Sequence, residues 1–269
     1  MLKDEIIKIR QLALNKKPLI HCITNPISIN QCANVILAAG GRPVMAEHPK
    51  EVYEISKTAS AVVLNTGNIT DARMEALKTS AKCCKEKGIP FVLDAVGSAC
   101  STLRREYIKK LLDEAPANLI KGNYSEIKAL YDKDYISPGV DSENIDIFEI
   151  ADISKRLSQK YKAVVLASGK TDVITDGKKL FFIHNGTKRL SEVTGTGCML
   201  GALCGLFMAV GEAGEAAVLA SAVMGIAGEL SEKEKGNASF LISLIDHISM
   251  LSSLEIEKML KMEEIKIED

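Results

Sequence analysis

Apolar residues in this chain fall into short β-rich runs that alternate with longer stretches of helical period. The runs predict strands at Leu19–Ile23, Arg42–Ala46, Ala61–Asn65, Phe91–Ala95, Leu119–Lys121 and Ala163–Ala167. Apolar positions three and four apart predict helices over roughly Ser28–Ala39, Pro49–Lys57, Asp71–Lys87, Thr102–Leu112, Ser125–Tyr131 and Ile147–Gln159. Strands alternating with helices argue for a mainly parallel sheet covered on both faces. Val173–Thr175 and Leu180–His184 flank Asp176-Gly177-Lys178-Lys179, a hairpin signal that leads straight into a glycine motif. Beyond Cys198 the pattern predicts helix to the end, and Tyr131–Asp146, with Pro138-Gly139, reads as a surface loop. No linker or repeat divides the chain, so one domain over residues 1–269 is expected.

Composition narrows the classes. With 34 Lys+Arg against 35 Asp+Glu and 4% aromatics, no basic field or stacking series is present, so no nucleic-acid partner is expected. Charged residues interrupt the first ten positions at helical spacing, unlike a signal peptide, and the most apolar segment, Met199 to Val210, is short for a bilayer. A soluble, cytoplasmic protein with no membrane partner is the expectation. The seven cysteines show no CxxC pair and the four histidines no zinc spacing, so reduced thiols are expected rather than disulfides.

Polar residues gather at the carboxyl ends of the proposed strands, the edge where open α/β sheets bind ligands. They are Thr24-Asn25-Pro26, Met45-Ala46-Glu47, Asn65-Thr66-Gly67-Asn68, Asp94-Ala95-Val96-Gly97, Lys121-Gly122-Asn123 and Ser168-Gly169-Lys170. Asp94 reads either as a cap for the helix near Ser101 or as a ligand for a hard cation. Glu126 reads either as a first-turn acid or, with Asp94, as a holder of Mg²⁺. Lys121 suits a phosphate, although a solvated lysine is by far the commoner role; Met45 suits an apolar ring or, more commonly, the core; Asn25 and Asn68 suit a substrate hydroxyl or ring nitrogen, or a turn.

Thr194-Gly195-Thr196-Gly197-Cys198 opens a long apolar run. Glycines at a helix N-terminus leave N–H groups unobstructed, which suits a phosphate or a developing oxyanion. Cys198 in the first turn favours a thiolate or a proton acceptor; the alternative is a tight turn into a core helix with a buried cysteine. A Walker reading of Ser168-Gly169-Lys170-Thr171 fails because the leading glycine is missing, and a dinucleotide reading of Gly195-Thr196-Gly197 fails because the motif opens no first βαβ unit.

Taken in order, His21–Pro26, Ala38–Met45, Asn65–Asn68, Leu93–Gly97, Lys121–Asn123 with Glu126, and Thr194–Cys198 resemble the hydroxyethylthiazole kinase family. The resemblance implies a three-layer α/β/α ribokinase-like fold with no separate lid domain. It implies transfer of phosphate from ATP, with Mg²⁺, to the hydroxyethyl group of a methylthiazole in thiamine salvage. Met45 and Gly195 would then contact the thiazole, with Asn25 near its hydroxyl and Asn68 among the substrate contacts. Asp94 and Glu126 would organise Mg²⁺, and Lys121 and Ser168 would contact ATP, where Arg and Thr are usual. Cys198 stands where the wider superfamily carries an aspartate base, with Gly197 and Thr196 completing the phosphate turn. The resemblance also implies a homotrimer with sites between subunits. The alternatives are a kinase of another heterocyclic alcohol such as hydroxymethylpyrimidine, a cysteine-nucleophile hydrolase, and a non-catalytic nucleotide-binding homologue.

Overall fold

Each early strand is followed by a helix that carries the chain back across a sheet face, so successive strands enter the sheet in the same direction. The computed structural model describes residues 2–135, 137 and 145–266. Its strands are β1 (Leu19–Ile23), β2 (Arg42–Val44), β3 (Ala61–Asn65), β4 (Phe91–Asp94), β5 (Leu119–Asn123), β6 (Val164–Ser168), β7 (Asp172–Thr175), β8 (Lys179–Ile183) and β9 (Met262–Lys266). They form one sheet in the order β2-β1-β3-β4-β5-β6-β7-β8-β9. Neighbours from β2 through β6 pair parallel, and β7, β8 and β9 pair antiparallel. Because β2 lies on one side of β1 and β3 on the other, strand order reverses there, which leaves a crevice beyond their carboxyl ends.

One face carries α3 (Val52–Ser56), α4 (Asp71–Lys87), α5 (Thr102–Glu114), α6 (Tyr124–Tyr131) and α7 (Ile147–Tyr161). The other carries α1 (Leu2–Lys16), α2 (Ile29–Ala38), α8 (Thr196–Met208), α9 (Ala213–Leu230), α10 (Asn237–Met250) and α11 (Ser253–Met259). This is the three-layer α/β/α arrangement expected from the sequence. Side chains alternate between the two cores: Val63, Val92 and Leu119 enter the α8 face, and Leu64, Leu93 and Ile120 the opposite one. The helices start where local chemistry allows. Thr70, Ser101 and Asp146 accept N–H groups at the starts of α4, α5 and α7, and Asn123 and Glu126 form a capping box on α6.

Two expectations are corrected. The chain after Cys198 is not wholly helical, because Met262–Lys266 returns as β9 beside β8. Its Glu263 and Glu264 deny it an apolar run; cross-strand pairing and a 3.3 Å contact between His184 and Glu263 hold it instead. The hairpin does not lead directly into the glycine motif either, since a 3₁₀ helix over Lys188–Glu192 intervenes. Pro138-Gly139 lies outside the described residues.

Among the described residues Ala213–Leu230 is the one single helix long and apolar enough to cross a membrane, yet 72% of it is buried inside the fold. It packs on α8, α10 and α1, as a core helix does. Its Gly225 is required by close approach: a Cβ there would lie 2.5 Å from the Asn185 carbonyl oxygen and 2.6 Å from its carbon. Helix propensity alone favours Gly225→Ala by about 1 kcal/mol. The backbone clash reverses that sign, and we expect a net loss of about 1–3 kcal/mol in urea denaturation; an equal or higher stability would show that the Asn185 segment yields.

Candidate active site

Parallel register brings three polar residues into one row at the carboxyl edge of the sheet. Asn65 is paired with Asp94, and Asp94 with Lys121. Their positions in the strand alternation turn all three toward α8, on the face that Val63, Val92 and Leu119 occupy lower in the sheet. Asn65 Nδ2 donates to Asp94 Oδ2 at 2.7 Å, and Lys121 Nζ donates to Asp94 Oδ1 at 3.0 Å. All three are buried.

The first turn of α8 stands over this row. Gly195, at φ +96°, is the N-cap, a left-handed conformation that suits glycine. The Thr196 hydroxyl donates back to the Leu190 carbonyl at 2.6 Å and the Val193 carbonyl at 3.2 Å, which anchors the preceding 3₁₀ helix. Thr196 therefore serves the turn through its side chain, leaving its backbone N–H for an anion. A Cβ on Gly197 would lie 3.4 Å from Lys121 Nζ, and one on Gly201 would lie 3.2 Å from Asp94 Oδ2. The Cys198 sulfur accepts N–H bonds from Asn25 Nδ2 at 3.2 Å and from Asn65 Nδ2 at 3.4 Å.

Asp94 is not the cap of α5; Ser101 is. Glu126 is both a capping residue and a neighbour of the row. Its Oε2 accepts the Asn123 N–H and its Oε1 the Gly97 N–H, each at 2.8 Å. Ser168, paired on β6 with Asn123 two positions beyond Lys121, donates to the Gly122 carbonyl at 3.3 Å. Met45, just after β2, is half-buried and packs against the α8-side core. Asn68 stands apart: it is exposed with φ +53°, the left-handed turn geometry that asparagine tolerates. Asn65, three residues earlier, is the amide that reaches the Cys198 sulfur. Within the run Asn65–Asn68 only Asn68 was a candidate; the signal for Asn65 was its place at the end of β3, two residues beyond Val63 on the same face.

Burial raises the Asp94 carboxyl, against the pull of Lys121 and Asn65. Burial likewise raises Glu126, against Lys121, while Asp94 adds to the rise. Burial works against the charge on Lys121, but Asp94, then Glu126 and Cys198, outweigh it and hold the ammonium protonated. Cys198 is raised by burial and then by Asp94, with Lys121 and the Ser28 hydroxyl pulling the other way. Burial and a neighbouring carboxylate thus push Cys198 toward the thiol, against the helix-end field that favours a thiolate.

Among the described residues no three His, Cys, Asp or Glu side chains converge as an all-protein metal cage. Mg²⁺ usually takes one or two carboxylates and completes its shell with water and phosphate. Two buried carboxylates fit that donor set, since oxygens that accept one N–H retain a lone pair for a metal-bound water.

The same fold occurs in the pyridoxal kinase from Staphylococcus aureus in complex with AMP-PCP and pyridoxal. The TM-score is 0.65 at 15% identity, covering 93% of this chain and 99% of that one. The architecture is therefore ribokinase-like. The structure of the hydroxyethylthiazole kinase protein from Pyrococcus horikoshii superposes with a TM-score of 0.89 at 32% identity, covering 97% and 99% of the two chains. Hydroxyethylthiazole kinase 2 of Clostridium botulinum (strain Langeland) is 47% identical over 251 residues, 91% of this chain and 95% of that one. The profile of the hydroxyethylthiazole kinase family matches residues 9–254, and the chain belongs to that family.

Because its pKa is raised, Cys198 should react with iodoacetamide slowly at pH 7, with the rate climbing about tenfold per pH unit toward and beyond the ordinary thiol value of 9.0. Peptide mass mapping would separate it from exposed Cys100; rapid modification at pH 7 would overturn the assignment. A Gly197→Val substitution would place a branched side chain against Lys121 Nζ at the mouth of the helix N-terminus. ATP affinity, measured by calorimetry, should fall at least tenfold; unchanged affinity would remove the turn from the phosphate site.

Proposed function

We propose that this protein transfers the γ-phosphoryl group of ATP to the hydroxyl of 4-methyl-5-(2-hydroxyethyl)thiazole, giving the thiazole phosphate used in thiamine synthesis. The observation that carries this reading is the row Asn65-Asp94-Lys121 beneath the glycine turn of α8. The relatives named above supply the substrate class.

The alcohol lies against Met45 and Gly195 in the crevice where strand order reverses, with its hydroxyl near Asn25 and Cys198. The hydroxyl oxygen forms a bond to the γ-phosphorus as the bond to the β–γ bridging oxygen breaks; ADP leaves, and the hydroxyl proton passes to an oxygen of the transferred phosphoryl group and on to water. Lys121, Ser168 and the N–H groups at Thr196 and Gly197 hold the phosphates. Phosphoryl transfer depends mainly on positioning and charge stabilisation. A protonated Cys198 fixed by two asparagine amides meets that need by orienting the hydroxyl. Asp94 and Glu126 would hold Mg²⁺, which when bound offsets phosphate charge.

We assign the protein to the cytoplasm, where ATP is available and its seven free thiols stay reduced. We also propose a homotrimer with the sites between subunits. It would cover Ile27, beside the Asn25 turn, and Leu37, near the end of α2, which stand 59% and 56% exposed.

A coupled ADP-release assay tests the reaction. With ATP and Mg²⁺, release should depend on the thiazole alcohol, and kcat/KM should exceed that for hydroxymethylpyrimidine. Preference for the pyrimidine would reassign the substrate, and no release with either alcohol from folded protein would sink the kinase reading.

A further inference from the structure

A second charged pair, outside the row, ties together the loops that carry Asn25 and Met45. Arg73 lies in the first turn of α4, which Thr70 caps by accepting the Arg73 N–H at 3.2 Å. Its side chain turns inward, and the residue is only 6% exposed. Nη2 donates to the Thr24 carbonyl at the end of β1. Nη2 and Nε both donate to Glu47 Oε2, at 2.5 and 3.1 Å. A neighbouring tether comes from His21, whose Nε2 meets the Ala46 carbonyl at 2.8 Å and whose Nδ1 meets Ser56 Oγ at 2.9 Å. A carbonyl can only accept, so Nε2 carries the hydrogen. Met45-Ala46-Glu47 is thereby held at Ala46 and at Glu47, and the Thr24 carbonyl is held by the same guanidinium. The side chain after Thr24 is Asn25, which bonds the Cys198 sulfur.

We propose that Arg73 is a positioning residue of the alcohol pocket: with Glu47 it sets the spacing between the Met45 loop and the Asn25 turn. Its substrate rests on the reading above, but the brace itself stands on geometry alone. Arginine suits the place because its planar fork serves a carbonyl and a carboxylate together, which the point charge of lysine does less well. A buried guanidinium is expensive without such partners, so the inward turn follows from the two loops and not from the needs of α4.

Glu47 offers the mildest way to open the brace, since its side chain is 45% exposed. Glu47→Ala should raise KM for the thiazole alcohol by roughly tenfold, the scale set by a hydrogen bond to a charged group. KM for ATP should stay unchanged while the melting temperature falls by a few degrees, because Arg73 loses its carboxylate, and Glu47→Gln, which keeps an acceptor, should fall between. In protein without substrate, Glu47→Ala should also alter the iodoacetamide rate at Cys198 severalfold as Asn25 loosens. Unchanged alcohol KM with an unchanged Cys198 rate would overturn the proposal, as would equal rises in both KM values. If the wild-type protein ignores the thiazole alcohol, the functional reading fails, and the Cys198 rate alone decides the brace.

Discussion

A carboxylate and an ammonium buried 3.0 Å apart beneath the start of an apolar helix set the terms for the rest of this molecule. Removing two charges from water costs several kcal/mol per ion, and their attraction repays this only when the remaining lone pairs and protons are satisfied. Asp94 meets that condition through Asn65 on its second oxygen. Lys121 lies beneath the first turn of α8, close to where a Cβ on Gly197 would be. The helix end repels the ammonium and attracts the carboxylate, so the pair is held by geometry and is electrostatically poised. An arriving phosphate would give Lys121 a second anionic partner.

Holding α8 this close to the row depends on what its side chains omit. Gly201 leaves room for the Asp94 carboxylate, and Gly205 lets the helix settle on Val63, where a Cβ would come within 2.3 Å of Cγ2. The remainder of α8 is apolar and buried, so it contributes packing against the sheet and α9, while its N-terminus alone meets the polar row. Rigidity and polarity are thus divided along one helix: the first turn opens on the buried Asn65-Asp94-Lys121 row and the later turns fix where it stands.

The parallel strands and their helices were legible in the sequence because a covered sheet needs apolar runs and turn residues at known places. The α8 motif was legible because two glycines before an apolar run have few other uses. Three features were hidden, each for a physical reason. β9 is held by pairing along a charged edge, so its own composition carries little strand signal. Asn65 ends a buried strand whereas Asn68 lies in the exposed turn after it, a difference that residue type does not encode. The Lys121–Asp94 pair and the Arg73–Glu47 brace depend on register and loop approach between segments distant in the chain. Sequence reading therefore found the site's polar residues one by one, while the bonds among them required the fold.

The position of β9 bears on how the protein comes into being. β8 pairs with β7 on one side, and its other edge waits for Met262–Lys266. During vectorial synthesis on the ribosome, the intervening helices emerge first, and until β9 arrives β8 presents a row of unpaired N–H and C=O groups. Such an edge can recruit another nascent chain. Closing it with a strand that carries Glu263 and Glu264 ends that exposure and leaves an outer edge whose charges discourage further pairing.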